Sequence, residues 1–254
     1  MQKTTRFNLV YALMAIMSLA VLTWPTKSSA DVEADMEAGV VFASRNDTRI
    51  PGNGGTDLSL VRDLSTPPAP AFRLRLGYRI AERHLITALY APLRINATGT
   101  LDRDVSFAGG TFPAGSSVLA VYRFDSYRLT YRYSFVWAEG LDVAAGLTAK
   151  IRDAETSLYG AEARRKTNTG FVPLLNVHLA WRPNQGDFGM ILDADALAAP
   201  QGRAEDVLIA ATWRVREGTD VRVGYRTLEG GADNDEVYSF AWLHYIVAGL
   251  AMTF

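Results

Sequence analysis

Tyr238-Ser239-Phe240-Ala241-Trp242-Leu243-His244-Tyr245-Ile246-Val247-Ala248-Gly249-Leu250-Ala251-Met252-Thr253-Phe254 ends the chain. Counted back from Phe254 in steps of two, Met252, Leu250, Ala248, Ile246, His244, Trp242, Phe240 and Tyr238 form a stripe that is apolar or aromatic everywhere but at His244. Successive side chains of a β-strand point to opposite faces, so a stripe of period two is one face of a strand. Soluble strands typically run about 5–6 residues. A stripe of 17 residues instead suits a strand that crosses a bilayer with its outer face against hydrocarbon.

The opposite end reads as an export signal. Lys3 and Arg6 precede the run Leu9 to Trp24, and Ser28-Ser29-Ala30 supplies the small residues that a signal peptidase needs. That run is 16 residues long, short of the roughly 20 that a membrane-crossing helix requires. Residues 1–30 are therefore predicted to be removed, and residues 31–254 to form a single domain. Losing Lys3, Arg6 and Lys27 leaves 23 bases against 27 acids, a formal charge of −4 that offers nothing to a nucleic acid. Without cysteine there is no disulfide framework, thiolate metal site or lipid-bearing N-terminal Cys. Although 48% of the chain is hydrophobic, no mature stretch approaches 18 consecutive apolar residues, which argues against a helical membrane bundle.

The alternation recurs upstream. Val32, Ala34, Met36, Ala38, Val40 and Phe42 alternate with Glu33, Asp35, Glu37 and Gly39, predicting a strand over about 32–43 with an acidic inward face. Residues 44–70, with Pro67-Pro68-Ala69-Pro70, read as a long loop. Phe72, Leu74, Leu76, Tyr78 and Ile80 then interleave with Arg73, Arg75, Gly77 and Arg79. From His84 to Asn96 the pattern is ambiguous, because Leu85 and Leu89 share one face while Ile86 and Tyr90 occupy the other. After a second loop over 97–117, Tyr127, Leu129, Tyr131, Tyr133 and Phe135 face out and Arg128, Thr130, Arg132 and Ser134 face in. Tyr122 and Phe124 fall in the opposite phase, which predicts a bulge or loop edge near Asp125-Ser126.

Leu141 to Ile151 continues the series with Lys150 and Arg152 inward, followed by a polar loop over 157–169. Phe171 to Trp181 places Asn176 and His178 inward, with Pro173 expected at a rim or bulge. Phe188 to Ala196 carries Asp193 and Asp195 inward, and Val207 to Val215 carries Arg214. Val221 to Tyr225 alternates with Arg222 and Arg226 before the closing strand. The count is ten strands, with eight as the alternative, joined by tight turns near 82, 139, 185 and 218 and by longer connections at 44–70, 97–117, 157–169, 199–204 and 229–236. In lipid an open sheet edge would leave backbone groups without partners, so the strands are predicted to close as an all-β, transmembrane, antiparallel up-and-down barrel.

This organisation resembles that of bacterial outer-membrane barrels, which pair even strand numbers with short periplasmic turns and longer extracellular loops. The resemblance places both termini in the periplasm and the long loops outside the cell. Three segments look like blocks of a group of uncharacterised proteobacterial outer-membrane β-barrel proteins: Gly224-Tyr225-Arg226-Thr227-Leu228-Glu229-Gly230-Gly231-Ala232-Asp233-Asn234-Asp235-Glu236-Val237-Tyr238, the stretch Tyr122 to Tyr133, and the stretch Ala198 to Asp206. More broadly the chain is similar to small barrels of the outer-membrane protein A and W type, whose roles run from anchoring to passage of small molecules. The likeness is at fold level and implies no single role. It does imply membrane lipid, lipopolysaccharide and the export and barrel-assembly machinery as partners, with Phe254 as the assembly signal. The oligomeric state is not fixed.

Parity assigns the inward face Glu33, Asp35, Glu37, Asp142, Asp193 and Asp195 against Arg73, Arg75, Arg79, Arg128, Arg132, Lys150, Arg152, Arg182, Arg214, Arg216, Arg222 and Arg226. In a narrow barrel such charges are expected to pack as an ion-pair network that includes His178, because the Arg fork matches carboxylates on neighbouring strands. The functional alternative is a small anion-attracting passage lined by unpaired Arg. No cofactor or metal pattern is present, and the function read here is structural or small-solute passage rather than catalysis.

The chain's three histidines bound the enzymatic alternative. His178 with Asp193-Ala194-Asp195 is similar to the carboxylate-activated water of omptin-type proteases, but no second Asp pair stands on a distant strand. A lipid-facing His beside a Ser would suit an outer-membrane phospholipase or lipid A deacylase. No Ser stands two residues from His244, which reads as a girdle residue. His84 follows a tight turn and reads as solvated. Glu229, Asp233, Asp235 and Glu236 cluster in one connection without the spacing of a calcium loop and read as a solvated acidic loop.

Overall fold

In the computed structural model residues 32–199 and 202–254 are described, so the predicted signal segment and its cleavage point lie outside the described residues. The strands are β1 (Val32–Arg49), β2 (Ala69–Ile80), β3 in two segments (His84–Ala91 and Arg94–Thr100), β4 (Ser117–Ala138) and β5 (Leu141–Tyr159), then β6 (Ala163–Trp181), β7 (Phe188–Ala199), β8 (Gly202–Arg216), β9 (Thr219–Asp233) and β10 (Tyr238–Thr253). Each pairs antiparallel with its chain neighbours, and β10 returns to β1 in a ladder from Glu33–Thr253 to Arg49–Tyr238. The ten strands therefore form a closed barrel with no free sheet edge around its base, which satisfies the backbone in a medium without water.

The alternation sets two unlike faces. Outward side chains are large and apolar, including Phe171, Val223, Leu147 and Phe135, all of them more than half exposed. Trp181, Phe188 and Trp213 ring the end that carries the termini and short turns, while Phe42, Tyr90, Tyr127, Phe171, Tyr225 and Trp242 ring the wall higher up. Phe171 stands ten residues from Trp181 along β6, about 25 Å at a tilt of roughly 40°. That separation matches the apolar band of a membrane-spanning barrel. At the terminal end Gly140 and Gly218 take φ of 80° and 70°, and a Cβ there would lie 2.5 Å from the Arg182 carbonyl oxygen or 2.7 Å from that of Thr253.

Several predicted boundaries are corrected. β1 continues to Arg49, because Ser44 is an extra residue between Ala43–Leu243 and Arg45–Trp242 that reverses the parity. Residues 157–169 are not a loop: β5 runs to Tyr159 and β6 starts at Ala163, with the pairing Ala163–Tyr159 intact. Above the apolar band the outward face need not be hydrophobic, so a strand there looks like polar loop. The bulge expected near Asp125-Ser126 is absent, since β4 pairs with β5 without a shift from Leu119–Tyr159 to Ser134–Ala144. Tyr122 and Phe124 simply point inward. The ambiguous third strand resolves likewise, with Leu85 and Leu89 inside and Ile86 and Tyr90 outside. Pro173 lies at neither a rim nor a bulge. It sits where β6 pairs only with β5, since the β6–β7 ladder ends at Leu175–Ala196, so its missing N–H costs no ladder bond on the open side.

The two long connections fold back onto the inward face of the loop end. Leu58, Leu60, Leu64, Leu101, Val105, Phe107 and Phe112 are buried against Val41, Ile95, Ala97, Val118, Ala120, Tyr122, Leu158, Leu243 and Val247 of the wall. A small hairpin, Val105–Phe107 with Gly110–Phe112, anchors the second connection. The Ala108 N–H donates to the Ile50 carbonyl (2.8 Å) and the Thr56 N–H to that of Ser106 (2.9 Å).

Candidate functional site

Between the open terminal end and this apolar plug the lumen is crossed by charged side chains. Glu37 of β1 accepts from Arg226 Nε (2.9 Å) and Arg222 Nη2 (2.9 Å) of β9, and Arg73 Nε of β2 stands 3.8 Å away. Asp206 of β8 accepts from Arg73 (3.0 Å), Arg128 (2.5 Å) and Arg226 (2.5 Å). β2 and β4 lie across the barrel from β8, so these arginines span the lumen rather than run along the wall. Arg128 also donates to Asp195 (2.7 Å), whose other oxygen accepts from Thr148 (2.7 Å) and Asn176 (2.9 Å). Arg132 (2.9 Å) and Arg75 (3.4 Å) reach Asp193. The side chains of Glu37, Arg128 and Asp206 are 2%, 2% and 3% exposed, so each charge is desolvated and depends on its partners.

Arg222 also pairs with Asp35, while Arg79–Glu33 (2.6 Å) and Arg182–Asp220 (2.6 Å) lie nearer the terminal rim. Asp35, Glu37, Asp193, Asp195 and Asp206 thus meet Arg73, Arg75, Arg128, Arg132, Arg222 and Arg226, five acids to six bases. The network is near balance because Arg79, Lys150, Arg152, Arg182, Arg214 and Arg216 stand outside it and because Asp206, which parity did not assign inward, joins it. Asp206 lies two residues before Leu208, in the inward phase of that strand, at a position where the apolar stripe has not begun.

Lys150 and Arg152 are not brought to carboxylates. The Lys150 ammonium lies 4.9 Å from the centre of the Phe124 ring, and Arg152 donates to the Asn168 side chain. His178 Nδ1 stands 3.4 Å from Asp193 without hydrogen-bond geometry. A cavity of about 580 Å³ at the terminal end is lined by Arg75, Arg132, His178 and Asp193, and one of about 490 Å³ at the loop end by Tyr122, Lys150, Arg152 and Lys166. Glu37, Arg73, Arg128, Asp206 and Arg226 line neither.

At the loop end Glu236 pairs with Lys166 (3.1 Å) and Glu229 with Arg203; Glu229 and Asp233 belong to β9 rather than to the predicted connection, and two of the four acids are neutralised. Among the described residues no group of His, Asp and Glu is placed to hold a metal ion. His84 Nδ1 lies 2.8 Å from the Tyr131 hydroxyl on the outer wall. His244 is also outward, but it has a serine neighbour: Ser44 of β1 reaches its Nε2 across the closing ladder at 2.8 Å.

No protein-family model matches the chain, and no curated protein matches its sequence. Among solved structures the chain is similar to the outer membrane protease OmpT of Escherichia coli, with a TM-score of 0.58 and 13% identity over 92% of this chain and 99% of that one. Neisserial surface protein A gives a TM-score of 0.37 with 13% identity over 90% of this chain and 100% of that one. The toluene transporter TodX of P. putida gives 0.37 with 10% identity over 90% and 91%. At such identities the likeness to OmpT is one of fold, and together with the apolar band and the closed ladder it identifies the chain as a ten-stranded outer-membrane β-barrel.

Proposed function

We propose that this barrel is a sealed structural element of the outer membrane, with termini in the periplasm and the plugged, loop-bearing end outside the cell. One observation carries the reading: Arg73, Arg128 and Arg226 converge on Asp206 and Glu37 across the lumen, and neither the terminal-end cavity nor the loop-end cavity includes them. An ion passing through would have to displace desolvated, mutually neutralised charges and then an apolar plug. The orientation rests on the short turns standing at the terminal end, as in bacterial barrels generally. Lumenal hydrolysis is not favoured, because Asp193 is occupied by Arg132 and Arg75 and is not free to activate water.

Above the outer aromatic ring Arg123 binds Asp125 and Asp153 (2.8 Å each) on the outward face, a position suited to the charged headgroups of lipopolysaccharide. Planar-bilayer recording of the purified barrel tests the sealed reading. The expected outcome is no discrete conductance, and steady anion-selective steps would replace it with a channel. Phe254 is proposed as the residue read by the assembly machinery. Phe254→Ala should sharply lower the amount of heat-modifiable folded barrel in outer membranes, and undiminished levels would remove that role.

A further inference from the structure

We propose that Ser44, His244 and Tyr225 form a serine-hydrolase site on the lipid-facing wall, acting on the acyl ester of a membrane lipid. Ser44 is the extra residue of the β1 bulge: it keeps the outward phase of Phe42, and Arg45 after it is brought opposite Trp242. Its pairing with β2 has also ended, at Val41–Ala69, so Ser44 lies outside regular ladder on both sides. Ser44 Oγ is 2.8 Å from His244 Nε2, and Tyr225 Oη is 2.5 Å from His244 Nδ1. The alternative acceptor for Oγ, the Trp242 carbonyl oxygen, is farther at 3.4 Å. Nucleophile, base and a third group orienting the base thus stand in sequence, as nucleophilic acyl transfer requires. With the Nδ1 proton donated to Tyr225 Oη, Nε2 is left as the acceptor facing Ser44. The imidazole is held flat by stacking on Phe42 (5.4 Å) and Tyr225 (6.1 Å).

Position selects the substrate. The site opens on the outer wall in the upper aromatic ring, at the depth where hydrocarbon gives way to headgroups and where lipid ester carbonyls lie. Arg45, next to Ser44, carries its guanidinium over Phe240 (5.1 Å), donates to Tyr238 Oη (2.8 Å) and pairs through Nε with Asp47 (2.8 Å), which marks this height of the wall as polar rather than hydrocarbon.

In the reaction Ser44 Oγ attacks the ester carbonyl as His244 Nε2 takes its proton, with the Ser44 N–H in the bulge as donor to the oxyanion. Collapse breaks the ester C–O bond, and His244 returns the proton to the departing alcohol, leaving an acyl-serine. Water, deprotonated by His244, then releases the carboxylic acid and restores Ser44. The sum is ester plus water giving acid plus alcohol.

The test uses the full barrel folded in mixed micelles of phosphatidylethanolamine and lipopolysaccharide, with folding of every variant checked by heat-modifiable mobility. A fluorophosphonate probe should modify Ser44, located by peptide mass. Both this reaction and fatty-acid release should fall about 10³-fold or more in Ser44→Ala and His244→Ala. Tyr225→Phe should lower kcat about tenfold with KM unchanged and shift the pH profile, which a merely structural role would not do. Absence of Ser44 labelling, labelling undiminished in folded His244→Ala, or acid release surviving in Ser44→Ala overturns the proposal. Turnover confined to water-soluble p-nitrophenyl butyrate overturns the lipid assignment. The released acid's chain length identifies phospholipid or lipopolysaccharide as its source.

Discussion

Climbing β4 from the terminal end, the inward face passes Ser134, Arg132, Thr130, Arg128 and Ser126, and then Phe124, Tyr122, Ala120 and Val118. β1 makes the same change between Glu37 and Val41. The lower half of the lumen is filled by side chains of the wall and the upper half by returning chain, and the two fillings obey different rules. A charged layer without water is stable only when every partner is present, because a buried charge left alone costs more than the pair gained. An apolar layer is graded, and its cost scales with the volume removed.

Breaking the lower layer should have the largest effect. Asp206→Ala would leave Arg73, Arg128 and Arg226 converging on an empty position, and a loss of about 3–5 kcal/mol is expected, read as an earlier urea midpoint of the folded barrel. Asp206→Leu with Arg73→Met, which removes charge on both sides and leaves Glu37 its pairs with Arg222 and Arg226, should recover part of that loss.

In the upper layer Phe107→Ala empties a fully buried ring in the hairpin of the second long connection. The barrel wall should keep its unfolding midpoint while protease cleavage within residues 101–116 rises roughly a hundredfold, as a local loss of about 3 kcal/mol would produce. Equal cleavage in both proteins would show that the plug does not hold that connection in place.

The smallest effect concerns the plug's outer clasp. Burial raises the Asp63 carboxyl, but the Ser59 N–H (2.9 Å) and Arg103 (2.8 Å) outweigh it and hold the group below its ordinary value. A carboxyl lowered by folding contributes stability above its unfolded pKa, near 4, and loses that contribution as pH falls through the folded value. Cleavage of the first connection by pepsin should therefore rise below about pH 4 in the native protein. Asp63→Asn should abolish this step, for a pair worth under about 1 kcal/mol at the surface.

Period-two alternation carried the fold wherever one face met hydrocarbon and the other did not. It failed where that contrast failed. Residues 157–169 stand clear of the apolar band and alternate polar with polar, and Tyr122, Phe124, Leu85 and Leu89 face an interior that is itself apolar. The lumenal partners were legible as a face but not as pairs, since Arg73 meets Asp206 across the barrel and parity is silent on distance. Ser44 was hidden more deeply. A local search around His244 finds no serine, because the serine arrives from the first strand, across the closing ladder.

The closing ladder joins the first strand to the last, so its contacts are among the last that the chain can make: Phe42 meets His244 only when nearly all of the sequence between them is in place. A reactive pair straddling that junction cannot exist in an unfinished barrel. While the wall is still being laid down inside the lipid, Ser44 and His244 stand on separate, unjoined edges. Whatever the finished protein can do to the membrane is thereby withheld from the intermediates that have to be built within it.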